Sequence, residues 1–285
     1  MRPSRAALAL PAALVLGAAP IEPPYRASVE AWRAEREAKL RAEDGWLAVA
    51  GLHWLREGKN TLGTADGNDI VLPAGSAPAR AGTLRLRGGR VTLGLADGER
   101  RPEREIAPES GDVVALGRLR LSVIERSGRL GLRVRDPDAA RRRGFEGLAW
   151  YPIDESYRVR ARFVPARGTR TIEVATVLGD LLRMPSPGHV EFTLRGRALR
   201  LDPVLEEGSS RLFFIFRDAT AGRQTYPAGR YLYAEPPDGG HLTLDFNQAY
   251  SPPCAFTDFA TCPLPPLQNR LAVAVEAGEK DPSRH

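Results

Sequence analysis

Six polar residues crowd one stretch of this 285-residue sequence and carry the side chains that chemistry needs: Asp218, Thr225, Tyr226, Arg230, Asp245 and Asn247. A carboxylate such as Asp218 or Asp245 can act as a general base, and a phenol or guanidinium such as Tyr226 or Arg230 can stabilise developing negative charge, which together would make a hydrolase. The same groups can instead hold a small polar or anionic molecule. Arg230 would then grip a carboxylate or phosphate through two parallel N–H bonds, with Asn247 and Thr225 as further binding groups. A third account is purely structural, with Arg230 paired to Asp218 or Asp245 as a buried bridge, since buried charges need partners.

Just downstream stand the only two cysteines, Cys254 and Cys262, in a segment that also carries Pro252, Pro253, Pro263, Pro265 and Pro266. Five prolines remove five backbone donors and fix φ at each, so the segment is expected to be a stiff, irregular loop. In an oxidising compartment the cysteines read as one local disulfide, stabilising the fold by about 2–3 kcal/mol; in the cytosol they would be thiols. Joined by His189 and His241 they would make a two-Cys, two-His metal set, but the close paired spacing of zinc sites is missing, so no metal or other cofactor is expected. Ser186 and His189 suggest a serine hydrolase, yet Met184-Pro185-Ser186-Pro187-Gly188 lacks the flanking glycines of a nucleophile elbow and reads as a hairpin connection. A nucleophilic Cys254 would need a reduced thiol and a nearby base, and His241 is its sole upstream neighbour. His53 falls within a strand-like run and is expected to be packed or exposed rather than catalytic.

These residues must be positioned by β-structure. In His241 to Phe246, Leu242, Leu244 and Phe246 share one face and His241, Thr243 and Asp245 the other. Similar short runs, broken by Gly, Asn, Asp and Pro, recur through the chain. They cover Trp46–Leu55, Ile70–Leu72, Thr83–Arg87, Arg90–Leu95, Val113–Leu116, Leu119–Glu125 and Leu130–Arg135, then Tyr157–Val164, Arg170–Val177, Val190–Arg195, Arg211–Arg217, Arg230–Ala234, His241–Phe246 and Leu271–Glu276. Ahead of them, Ser28 is placed to cap a short helix with Val29, Trp32 and Leu40 near one face, ended by Asp44-Gly45. Asp136 to Gly144, with Pro137 and three consecutive arginines, suggests a boundary. The expected organisation is a leader at 1–19, linker and helix at 20–44, a β-sandwich at 45–136, a C-terminal β domain at 145–279 and a tail at 280–285.

Composition bounds the function classes. Hydrophobic residues at 42% and charged residues at 27% exclude a wholly disordered chain or a polytopic membrane protein. The net charge of +6 comes almost entirely from arginine, because lysine occurs only at Lys39, Lys59 and Lys280. The arginines are scattered among acids rather than interleaved with stacking aromatics, so nucleic acid is not expected as a partner. Arg2 and Arg5 followed by the uncharged run Ala6 to Ala19 have the layout of a signal peptide, too short to span a bilayer. Removal would leave a periplasmic or secreted protein without a transmembrane segment; if the segment is not a leader, the protein is cytoplasmic.

Two resemblances add to this. The residues Gly58, Asn60, Leu62, Gly63, Asn68, Asp69, Ile70 and Leu72, with the later run Gly111 to Gly117, resemble the forkhead-associated sandwich. That family's phosphothreonine site needs an Arg after the early Gly and a downstream Ser-His pair; Thr64 follows Gly63 and Ser76 has no His nearby, so the resemblance implies at most the fold. The stretch Phe216 to Gly222, Thr225 to Arg230, Leu244 to Phe256, Thr261 to Pro266, Asn269 to Leu271 and Ala277 to Glu279 resembles a bacterial family known as domain of unknown function 1684. Further matches are Phe145-Glu146-Gly147-Leu148 and Tyr151-Pro152, and the likeness extends from Trp46 onward. One departure is Ser251, where members usually carry Asn before Pro-Pro-Cys. The resemblance implies no activity.

The resulting expectation is a mainly β protein of two β domains, a forkhead-associated-like sandwich followed by a β-barrel or curved sandwich, with a short N-terminal helix. Its expected role is binding a small polar or anionic ligand in the C-terminal domain; a hydrolase and a structural or protein-interaction module are the alternatives.

Overall fold

In the computed structural model of the protein, residues 24–96 and 103–284 are described. The expected leader at 1–19 lies outside them. The helix α1 spans Tyr25–Arg41 and begins three residues before the expected Ser28 cap. Pro24, with its fixed φ, stands at the N-cap, and Ser28 Oγ instead donates back to Tyr25 O at 2.7 Å within the first turn. Among the described residues no helix is long and apolar enough to cross a membrane.

The fold is mainly β, as the alternating patterns implied. The first unit contains β1 (Val49–Trp54), β2 (Gly58–Gly63), β3 (Ile70–Val71), β4 (Gly82–Arg87), β5 (Arg90–Leu95), β6 (Arg104–Glu105), β7 (Val114–Leu116), β8 (Leu119–Arg126) and β9 (Arg129–Arg135). They form two sheets, β1-β9-β8-β7 and β3-β2-β4-β5-β6. Alternate residues of each, such as Leu84, Val91 and Leu93 on one and Leu121, Leu132 and Val134 on the other, meet in one core. The β8–β9 hairpin turns on two residues, Ser127 and Gly128, both at positive φ (52° and 73°), the geometry of a type I′ turn.

A short helix, α2 (Ala140–Arg143), leads to the second unit. It contains β10 (Arg158–Pro165), β11 (Thr171–Ala175), β12 (Leu181–Pro185), β13 (Gly188–Leu194), β14 (Arg197–Leu201), β15 (Leu212–Phe216), β16 (Arg230–Ala234) and β17 (His241–Asp245). These make a four-stranded sheet, β14-β13-β10-β17, and two ribbons, β11-β12 and β15-β16, so the unit is a curved sandwich rather than a closed barrel. The segment Pro185 to Gly188 is not a hairpin: β12 pairs with β11 while β13 pairs with β10 and β14, so the link passes from one ladder to another. Leu271 to Glu276, expected as a strand, is irregular. Its first half lies along Arg217–Ala219, Leu271 N donating to Arg217 O at 2.8 Å and Ala219 N to Val273 O at 3.0 Å, and side chains take over at Val275, whose N donates to Asp218 Oδ2 at 2.8 Å and whose O accepts from Arg230 at 2.8 Å.

Helix α1, expected beside a linker, packs on the second unit. Arg36 donates to Ser251 O at 2.8 Å, Glu37 accepts from Trp150 Nε1 at 3.0 Å, and Trp32 meets Trp150 edge-on at 5.8 Å. The chain enters and leaves the first unit at one point, where Asp136 N donates to Ala48 O at 2.7 Å.

Candidate functional site

The residues singled out in the sequence occupy three separate places. In the first, Arg230 opens β16 opposite Phe216, the last residue of β15, and both are buried. Arg230 Nη2 donates to Asp218 Oδ1 at 3.1 Å and Nη1 to Ala277 O. Asp218 Oδ2 accepts from Thr220 Oγ1 at 2.7 Å, Thr220 N at 3.2 Å and Val275 N. Thr225 joins through a 2.8 Å contact between its hydroxyl and that of Thr220. Both carboxylate oxygens of Asp218 are therefore engaged within the protein.

In the second place, Asn247 and Asp245 hold the start of α1. Tyr25 Oη donates to Asp245 Oδ1 at 2.9 Å, and Asn247 Nδ2 donates to Tyr25 Oη at 2.8 Å and to Asp154 O at 2.9 Å. Asn247 Oδ1 accepts from Asp154 N at 3.1 Å. Burial, together with the Asp245 carboxylate, holds the Tyr25 phenol well above its ordinary range.

In the third, Tyr226 Oη donates to Cys254 O at 3.0 Å beside the two cysteines. Cys254 N donates to Cys262 Sγ at 3.1 Å, and the two sulfurs stand as thiols. A hydrogen bond between the two thiols splits the pair: it lowers the Cys254 thiol, while the same bond and burial raise that of Cys262. His53 lies on β1 and is lowered by burial alone.

A hollow beside the third place takes in Cys262 and is otherwise built from other side chains. The β15–β16 ribbon is apolar on both faces: Phe214, Phe216 and Leu232 join the main core, while Phe213, Ile215 and Tyr231 form a second cluster. With Tyr233, Tyr250 and Trp46, this second face walls a cavity of about 480 Å³ at the seam of the two units. Phe213 stacks on Tyr233 at 4.8 Å, as their cross-strand register dictates, and Tyr233 lies parallel to Tyr250 at 6.4 Å. The β11–β12 ribbon adds Leu178, Leu182 and Met184, and the first unit adds Arg126 and Ser127 from its type I′ turn. A neighbouring hollow of about 210 Å³ shares Arg36, Tyr233 and Tyr250.

Charge enters the cavity through two lining arginines, Arg36 and Arg126, and a third, Arg133, stands behind the Trp46 ring. Arg36 lies 4.5 Å over the Tyr250 ring and donates from Nε to Glu279 Oε2 at 3.2 Å. Glu279 is wholly buried, and desolvation raises its carboxyl above the ordinary range against the pull of Arg36. Gly278 permits this placement: its φ is 80°, and a Cβ there would lie 2.3 Å from Ala249 O. Arg126 spends Nη1 on Glu109 Oε1 at 2.6 Å and Nε on Thr261 Oγ1 at 3.2 Å. Arg133, on β9, is 5% exposed and sits 5.1 Å from the Trp46 ring, with Nε and Nη2 buried and without a hydrogen-bond partner. Burial, with repulsion from Arg135 and Arg126, pushes it down to about 10. Tyr250 is pushed up to about 12 by burial. Tyr233 donates to Glu206 Oε2, and Tyr231 to Pro263 O at 2.8 Å.

Such a hollow can stack a planar or apolar body against rings and set a charged group beside guanidinium donors. Sequence reading missed its wall because Tyr231, Tyr233 and Phe213 look like ordinary strand residues. The signal present was the two-faced apolar pattern of Leu212 to Phe216 and Arg230 to Ala234, which a one-sided strand would not need.

Fold and cavity define a two-unit β protein with a hollow of ligand size at its seam. The chain belongs to the family described as protein of unknown function (DUF1684), whose match covers residues 143–280. That match begins after the first unit, although the likeness was expected from Trp46 onward. Among solved structures, an uncharacterized protein of Haloarcula marismortui, determined in solution by NMR, is 38% identical over 50% of this chain and 81% of its own, with a TM-score of 0.43. No curated protein matches the chain.

Proposed function

We propose that this protein binds a small organic molecule in the seam cavity, which places the ligand beside the C-terminal β unit but not on the Asp218–Arg230 cluster. The observation that carries the reading is the concentration of five aromatic rings and two arginines around one void of about 480 Å³. That is the size and lining of small-molecule sites, where most of the wall is apolar and a few polar groups orient the guest. A thermal-shift screen of the purified full chain against a metabolite library tests it. Hits should raise the melting temperature of the wild type and lose that effect in Leu182→Trp, whose added indole fills the hollow. Hits indifferent to Leu182→Trp would put the ligand elsewhere and end this reading.

We also infer an exported protein in which Cys254 and Cys262 are bridged. The basic start with its apolar run supports export, and two cysteines eight residues apart in one loop, thiols in this structure but adjacent, support bridging under oxidising conditions. Thiol titration of denatured protein from the native envelope checks this; two free thiols would overturn it.

A further inference from the structure

Arg133 is a charge without an owner. Taking a guanidinium out of water is costly, and proteins normally offset the cost with a carboxylate and a full set of acceptors. Here Nε and Nη2 have neither, the ring of Trp46 lies 5.1 Å away, and two of the nearest charges, Arg135 and Arg126, repel it more strongly than Glu109 attracts it. The nearby carboxylate of Glu109 is already held by Arg126. A cation–π contact recovers only part of such a loss. Trp46 and Arg126 both line the cavity, so the uncompensated positive field stands directly behind its wall.

A second feature concerns the mouth. Val177, Leu178 and Leu181, at the tip of the β11–β12 ribbon, are 41%, 39% and 65% exposed. They account for three of the six large exposed hydrophobic residues among those described, and Leu178 also lines the cavity, followed inward by Leu182 and Met184. Apolar side chains thus stand both at the exposed ribbon tip and inside the hollow, with Asp180 and Glu206 as acidic members of the lining, a clustering that a protein surface seldom carries without a use.

We propose that the cavity takes an amphipathic organic anion, a carboxylate carried on a hydrocarbon chain, with the head group held by Arg126 in the field of Arg133 and the chain laid over Leu178, Leu182 and Met184. This rests on the cavity being a binding site for a small organic molecule.

Isothermal titration of the full chain with decanoate, decan-1-ol and decyltrimethylammonium, all below micelle concentration and at neutral pH, separates the head-group charge from the chain. Decanoate is expected to bind about tenfold or more tighter than decanol, as a charge-assisted hydrogen bond would give, and acetate not measurably. Arg126→Gln should bring decanoate to within a few-fold of decanol. Arg133→Met should do the same and, by removing the ownerless charge, raise the melting temperature of the free protein. A packing role for Arg133 predicts the reverse, a lower melting temperature with the decanoate preference intact. That outcome, or preference intact in Arg126→Gln, overturns the proposal, as does tightest binding of the ammonium probe. If none of the ten-carbon probes binds while library hits remain sensitive to Leu182→Trp, the amphipathic anion is wrong and the cavity reading stands. If neither class binds, both fall.

Discussion

Arg230 and Asp218 face each other as a closed ion pair, Nη2 to Oδ1 at 3.1 Å, with both side chains out of contact with water. Every carboxylate oxygen of Asp218 is answered by a donor from Thr220, Val275 or Arg230, and the arginine in turn holds the carbonyls of Val275 and Ala277. The pair therefore staples the irregular Leu271–Glu276 segment to the β15–β16 ribbon. Asp218→Ala should cost about 3–5 kcal/mol in denaturant unfolding, the loss typical when one buried charge is stranded. Because neither residue lines the cavity, ligand-induced thermal shifts should survive in whatever fraction still folds. Their disappearance in folded Asp218→Ala would return Asp218 to the site.

Tyr25 ties the start of α1 to the end of β17. Its hydroxyl sits between Asp245 Oδ1 and Asn247 Nδ2, so Tyr25→Phe leaves a carboxylate and an amide short of one partner each. A loss of about 1–3 kcal/mol is expected, with faster hydrogen exchange confined to α1 and the Phe246–Gln248 turn. An unchanged exchange pattern would show that the helix is held by Arg36 and Glu37 alone.

Glu279 makes stability depend on pH in a definite sense. Its carboxyl is raised above the ordinary 4.5 by burial, so over the interval above that value the folded state binds a proton that the unfolded state has already released. Its contribution is fully present below 4.5 and is lost as pH rises through the folded value. Glu279→Gln should remove that slope, so the stability difference between variant and wild type should grow in favour of the variant as pH climbs from about 4.5, the ordinary value. Chemical denaturation at a series of pH values reads this directly; parallel curves would refute it.

The two thiols should differ when reduced. Cys254 is half-buried with its thiol lowered, and Cys262 is buried with its thiol raised. Brief iodoacetamide treatment of reduced, folded protein, followed by peptide mass mapping, should label Cys254 first. Equal labelling would mean that the pair is not held as described. Oxidised protein should label at neither.

Much of the architecture was legible because strand periodicity is a local signal. Leu119 to Glu125 and Leu130 to Arg135 alternate, flank a Ser-Gly turn and pair as expected. The misses have physical causes. Leu271–Glu276 has a strand's composition, yet the pairing begun at Leu271 and Val273 stops at Val275, whose backbone groups are claimed by Asp218 and Arg230, side chains far upstream that no local pattern reveals. Ser28 is a good cap by type, but Pro24 starts the helix earlier. The cavity escaped because its wall joins Arg36, Trp46, Arg126, Phe213 and Tyr250 only through tertiary folding. The polar residues that look reactive in sequence, Asp218, Arg230, Asp245 and Asn247, are those that hold irregular backbone in place.

The single crossing point at Ala48 and Asp136 makes the first unit a guest within the second. Helix α1 comes before the guest in the chain but packs in space on the host, and the flanks Val49 and Arg135 pair directly across the neck. Excision of residues 49–135 with a short turn grafted across the gap should leave the host intact, whereas cutting the chain ahead of residue 143 would strip away α1 and with it Arg36. The guest is then best regarded as a detachable cover, since its Arg126–Ser127 turn supplies one side of the hollow. Host proteins carrying a different guest, or none, would present the same aromatic floor under another roof.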